Sequence, residues 1–226
     1  MNAFELAQQR QDFREILRLV RPTSRVLDIG CGEGALLEML AREKQIDGRG
    51  LEISPQGVSA CLSRGLAVVQ GDADRDLADF PSRAFDYAIL SQTLQTVRAP
   101  RLVLNELLRI AECAIVSLPN FGHWRVRLGL LVTGRMPMTG ALAEPWYSTP
   151  NIHLCTLRDF ASLCAELGVR IEASAALSNA GPARPMDPAH WAENWRAEQA
   201  IFLLSRPGGP SRPSPPSAPA QDLFER

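Results

Sequence analysis

Three carboxylates, Asp28, Glu52 and Asp72, each stand at the end of a short apolar run, and the first opens a bend with glycines at alternate positions: Asp28-Ile29-Gly30-Cys31-Gly32-Glu33-Gly34. Glycines allow a tight turn and let a ligand approach the main chain. A helix that starts just after them offers unpaired N–H groups. Dinucleotide sites call for G-x-G-x-x-G with a diphosphate at the helix end, whereas the spacing here is G-x-G-x-G. Asp28 would repel a diphosphate and suits a cationic group. Glu52 follows Gly32 by 20 residues, and an acid at the end of the second strand of a Rossmann-type fold bonds a ribose diol. Asp72 ends the third run, Val68-Val69-Gln70-Gly71. Each residue has a second reading: a bare βα turn for the glycines, a solvated loop acid for Glu52, a helix cap for Asp72. Three such acids in chain order favour a nucleoside site.

The elements that must hold these groups follow from periodicity. Apolar spacing at Phe13, Ile16, Leu17 and Val20 predicts a leading amphipathic helix within residues 4–20, ended by Arg21-Pro22. Strands are expected at 25–29, 48–53, 66–70, 85–91 and 113–118, with helices at 33–44, 54–62 and 100–110 between them. This alternation predicts a doubly wound parallel sheet. Residues 72–81 read as an irregular acidic loop. Gln92-Thr93-Leu94-Gln95 leaves the fourth strand at Ser91, at the carboxyl end where ligands collect. Regularity stops at Pro119. An insertion to about residue 156 follows, with a short helix over 124–132, a Gly134-Arg135-Met136-Pro137 turn, and the aromatics Phe121, Trp124, Trp146 and Tyr147 beside Arg125, Arg127 and Arg135. Such a segment suits a lid or a protein contact, or packs onto the sheet. A helix over 156–167 follows, capped by Thr156 and Asp159 and stopped by Gly168. A strand at 170–176, a proline-rich loop at 179–196 and a last strand at 199–205 complete the folded part. Residues 207–219 carry six prolines and almost nothing apolar, so the end of the chain is expected to be disordered.

At Asp28 to Gly34 the chain resembles the class I S-adenosylmethionine-dependent methyltransferases, whose first motif is D-x-G-x-G-x-G. That resemblance implies an α/β, doubly wound, mostly parallel seven-stranded Rossmann-like sheet with an antiparallel C-terminal strand. It also implies a site for S-adenosyl-L-methionine or S-adenosylhomocysteine built from Asp28, Gly30, Cys31, Gly32, Gly34, Glu52, Ile53, Asp72, Ala73 and Ser91. The glycine loop would pass the amino-acid end of the cofactor, and Asp72 would bond the adenine amino group with Ala73 as a backbone contact. Further runs narrow the likeness: Phe85-Asp-Tyr-Ala-Ile-Leu-Ser-Gln-Thr-Leu-Gln95, Ser117-Leu-Pro-Asn-Phe-Gly-His-Trp-Arg-Val-Arg127, Gly134-Arg-Met-Pro137 and Trp146-Tyr-Ser-Thr-Pro-Asn-Ile-His-Leu-Cys155. With the glycine bend, they are similar to the methionine biosynthesis protein MetW family. Membership implies a methyltransferase-like protein that works with a homoserine O-acyltransferase (an acetyl- or succinyltransferase) and supports its activity. An active methyltransferase on a small molecule or protein is the alternative.

Composition limits the remaining classes. The 226 residues are 46% hydrophobic and 22% charged, with a net charge of -1, values of a globular domain without a nucleic-acid footprint. The five cysteines are scattered without a C-x-x-C pair, which argues for reduced thiols and against zinc. The polar first residues carry no signal pattern and no apolar run reaches membrane length, so a cytoplasmic protein without a membrane contact is expected. Ser91-Gln92-Thr93-Leu94 stands where DNA amino-methyltransferases carry N/D-P-P-Y/F. Neither G-x-S-x-G nor H-E-x-x-H occurs. His123, His153 and Tyr147 are the groups available as a base or a substrate contact, each with a structural role as the simpler reading.

Overall fold

Five parallel strands form the centre of the sheet: β1 (Arg25–Ile29), β2 (Asp47–Glu52), β3 (Ala67–Gln70), β4 (Phe85–Ser91) and β5 (Ala111–Pro119). The computed structural model describes residues 10–178 and 182–207; the early part of the leading helix and nearly all of the proline-rich tail lie outside them. The helices are α1 (Gln11–Leu19), α2 (Ala35–Lys44), α3 (Pro55–Ser63), α4 (Pro100–Ile110), α5 (Trp124–Thr133), α6 (Leu157–Glu166) and α7 (Trp191–Arg196). Successive strand residues point to opposite faces, so the near-continuous apolar runs feed two cores. Val26, Tyr87, Ile89 and Ile115 pack with Phe13 and Ile16 of α1 and Leu36 and Leu40 of α2. Leu27, Ile29, Leu90 and Val116 pack with Leu104 and Leu107 of α4 and Phe160 of α6.

Two longer antiparallel strands close the sheet. β8 (Gln199–Ser205) runs antiparallel between β5 and β6 (Arg170–Leu177), and the order is β3-β2-β1-β4-β5-β8-β6-β7. The sequence leads to seven strands. The eighth, β7 (Arg184–Pro185), is a two-residue pairing on the outer edge of β6, where Pro185 needs no ladder donor. It lies in the stretch expected to be a loop, as does α7, a helix too short to show a hydrophobic period. The His190 side chain caps α7 by accepting from Ala192 N. Elsewhere the local signals hold. Thr156 and Asp159 form a reciprocal capping box on α6, and Ser54 with Pro55 starts α3. The acidic loop contains one 3-10 turn, Asp76–Asp79.

β1 lies between β2 and β4, so chain direction across the sheet reverses beside it. Crevices at such switch points, outside the carboxyl ends of the strands, are where α/β sheets bind ligands. The insertion is fastened near the same edge. Ile152 N and His153 N donate to Gln95 O, and Phe121 N donates to Cys155 O. Asn120 anchors its root. Its amide donates to Asn194 O at 2.9 Å and Ala197 O at 2.8 Å, and its carbonyl accepts from Gly122 N at 2.8 Å.

Candidate functional site

β1 turns into α2 through backbone that only glycine adopts easily. Gly34 has φ +81°, and a Cβ there would lie 2.4 Å from Leu66 and 2.9 Å from Cys61. Gly32 has φ +56°, yet nothing lies within 4 Å of where its Cβ would be. The glycine bend therefore presents open main chain on one side and packs tightly on the other. Cys31 and Cys61 lie on the packed side with their Sγ atoms 3.9 Å apart as free thiols. Burial pushes both thiols up, so they act as packing groups. The cap of α2 is Gly34, so no side chain takes up the first amides of that helix.

Beside the bend lies a hollow of about 350 Å³, inside the usual range for small-molecule sites. Asp28, Gly30, Cys31, Gly32 and Ser91 line it, joined by Arg10, Phe13, Glu33, Ala35 and Leu36. Asp28 is only 2% exposed, and among the described residues no hydrogen bond reaches its carboxyl group. Burial pushes its pKa up to about 7; Arg10 pulls it down, while Glu52 and Asp12 add to the rise. A buried acid without a donor is costly when charged, and a cation entering the hollow would relieve that cost.

Arg10 and Asp12 had no place in the sequence-derived site. Asp12 is a buried acid whose Oδ1 and Oδ2 accept from Arg10 Nε at 3.1 Å and Nη2 at 2.6 Å. Oδ2 also accepts from Ser91 Oγ at 2.7 Å and Ser117 Oγ at 3.3 Å. Ser91 in turn accepts from Arg10 Nη2 at 3.0 Å, and the Arg10 guanidinium lies 3.9 Å from the centre of the Phe13 ring. A signal was present: Asp12, Glu15, Ile16 and Leu19 form the buried stripe of α1, and acids on an apolar stripe call for partners.

The other expected residues lie outside the walls of this hollow. Glu52 Oε2 accepts from Gly32 N and Oε1 from Ser54 N, both at 2.8 Å. It therefore clamps the bend to the end of β2, and each oxygen keeps a further lone pair. Ile53 beside it is 64% exposed, an apolar shelf at the strand end. Asp72 heads a turn: Oδ1 accepts from Asp74 N at 2.9 Å, and its own N–H donates to Asp76 Oδ2 at 2.7 Å. Ala73 packs against the core.

No obvious base faces the hollow. His123 is buried beside Trp124, and burial pushes its pKa down. His153 Nε2 lies 3.4 Å from Arg98 O. Trp146 and Tyr147 meet edge to face on the surface of the insertion, both more than 70% exposed. Gln92, after β4, holds φ +56° without being glycine; Ser117 and Gln199 pin it through its N–H and its side chain.

A doubly wound sheet with an antiparallel closing pair and an acid-led glycine bend is the class I methyltransferase fold. A SAM-dependent methyltransferase from Thermotoga maritima shares it with a TM-score of 0.64 over 90% of this chain and 91% of that one, at 16% identity. Residues 10–204 match the family described as methionine biosynthesis protein MetW, and the chain belongs to that family. It is 34% identical over 170 residues to the bifunctional methionine biosynthesis protein MetXA/MetW of Rhodopirellula baltica, covering 71% of this chain and 27% of that protein. It is 25% identical over 154 residues to ajmaline N-methyltransferase of Rauvolfia serpentina, covering 65% of this chain and 52% of that enzyme. The chain thus spans about a quarter of the first relative and about half of the second. Among the described residues, no helix is long and apolar enough to cross a membrane.

Proposed function

We propose that this chain is an S-adenosylmethionine-binding, methyltransferase-like subunit that supports a homoserine O-acyltransferase of methionine synthesis in the cytoplasm. The observation that carries the reading is Asp28, a buried carboxyl group without a donor, set at the glycine bend of a hollow that no catalytic base faces. The residues present fit the cofactor. Asp28 would take its cationic amino-acid end, and the open main chain at Gly32 would let it pass. The spare lone pairs of Glu52 suit a ribose diol, Ile53 offers an apolar face to adenine, and Asp72 with Ala73 stands where the adenine edge is expected. When bound, the cofactor supplies an electrophilic methyl group on sulfonium. Transfer of that group needs positioning more than acid–base groups.

The relative whose name joins MetXA and MetW in one chain supports a partner role, and so does the insertion. α5 is apolar all round yet buries only Val126, and Leu131 and Val132 are 82% and 73% exposed. Helices of that kind need cover from elsewhere. The test is reconstitution: calorimetry with S-adenosylhomocysteine, co-purification with the acyltransferase, and acyltransferase rate with and without this chain. A complex and a raised rate are expected; no complex and an unchanged rate would remove the claim. The match to ajmaline N-methyltransferase favours a second reading, an active methyltransferase. Labelled cofactor incubated with cell extract would then yield a labelled product, and repeated absence of one counts against it.

A further inference from the structure

The walls of the hollow carry two charged groups of opposite sign that are not bonded to each other. Asp28 is an acceptor with no donor. Arg10 is a donor-only group whose Nε and Nη2 are held by Asp12 and Ser91, while among the described residues Nη1 has no hydrogen-bond partner. The Phe13 ring beneath the guanidinium, 3.9 Å away, and the Asp12 carboxylate on one edge fix the plane of the fork. A guanidinium edge fixed this way is suited to a carboxylate. Asp12 is held in turn by the hydroxyls of Ser91 and Ser117, so the brace joins the start of α1 to the ends of β4 and β5.

We propose that Arg10 and Asp28 form a two-point clamp for an α-amino-acid zwitterion, Arg10 taking the carboxylate and Asp28 the ammonium, with Asp12 and Ser91 as positioning residues. The clamp rests on the nucleoside reading above and deepens it: this end of the hollow selects ligands by a free amino-acid end. A ligand with a phosphate there would meet Asp28 and be repelled, and an uncharged end would leave both groups unpaired. A zwitterion leaves the total charge of the hollow unchanged, so its binding adds no net charge to a buried place.

Three probes that share the adenosine portion separate the two ends. S-adenosylhomocysteine carries both charges, decarboxylated S-adenosylmethionine keeps the ammonium alone, and 5′-methylthioadenosine has neither. Calorimetric titration of the wild-type chain is expected to rank them in that order. Arg10→Ala should weaken S-adenosylhomocysteine by about tenfold or more, the size of one charge-assisted hydrogen bond, and leave the other two within about twofold. Arg10→Lys should restore part of that loss, and Asp12→Asn should weaken S-adenosylhomocysteine alone. Equal loss for all three probes, or no loss for any, overturns the clamp while the cofactor reading stands. If the wild-type chain binds S-adenosylhomocysteine and methylthioadenosine equally well, the clamp also falls. If it binds none of the three, the cofactor reading falls and takes the clamp with it. The Arg10 side chain is 45% exposed, so its replacement should not disturb folding; matching thermal unfolding curves check this.

Discussion

Asp28 is both the costliest residue of the molecule and the most informative. Its folded-state pKa of about 7 lies above the ordinary 3.8, so the folded chain holds a proton that the unfolded chain releases. The stability this contributes is fully present below pH 3.8 and is lost as pH rises through about 7. Asp28→Asn, which cannot ionise, is therefore expected to be more stable than wild type at pH 8 by on the order of a few kcal/mol. The difference should shrink toward pH 4, and S-adenosylhomocysteine binding should be lost. Urea unfolding at both pH values checks the first part; equal stabilities at pH 8 would contradict it. Asn120 should behave in the opposite sense. Asn120→Ala leaves two buried carbonyls and one N–H without their partners and should cost about 2–3 kcal/mol at any pH, read as a lower urea midpoint. Asp28 and the glycines could be read from sequence because strand, bend and helix are contiguous there. Arg10 and Asp12 could not be placed, since their partners Ser91 and Ser117 lie 79 to 105 residues away and only the packing of α1 brings them together.

At the scale of elements, the insertion separates structural from interactive sequence. Its root is built into the domain through Asn120, Phe121–Cys155 and the Gln95 carbonyl. Its outer part leaves Leu131, Val132, Trp146 and Tyr147 in solvent. The double variant Leu131→Asp with Val132→Asp should therefore change stability by no more than about 0.5 kcal/mol and abolish co-purification with the acyltransferase. A retained complex would move the contact elsewhere. The sequence reading left the tryptophans open between packing and contact. Trp146 is 72% exposed and Trp124 37%, so the first does not pack onto the sheet and the second does so in part. The periodic elements, β1 to β5 and α2 to α4, were readable to within two or three residues because each buries a regular stripe. β7 and α7 were not, since two residues of edge pairing and six of helix are fixed by tertiary hydrogen bonds rather than by any repeat.

For the whole molecule, the sheet order follows from alternation of strand and helix, with the late antiparallel pair as the mark of the fold. If the hollow takes the cofactor, a ligand at 100 times its dissociation constant adds about 2.7 kcal/mol to folding. That should raise the melting temperature by about 5–10 °C for a chain of this size. A melting curve unmoved by S-adenosylhomocysteine at saturating concentration would contradict the nucleoside site. The near-neutral carboxyl of Asp28 has one more effect. In the free protein it is about half protonated at neutral pH, and an arriving ammonium group requires it ionised, so association expels a fraction of a proton into the medium. The heat recorded on mixing would then differ between phosphate and Tris, whose ionisation enthalpies are unlike. Affinity would also climb as the solution turns from mildly acidic to mildly alkaline, so that the cell's own acidity tunes how full the hollow is.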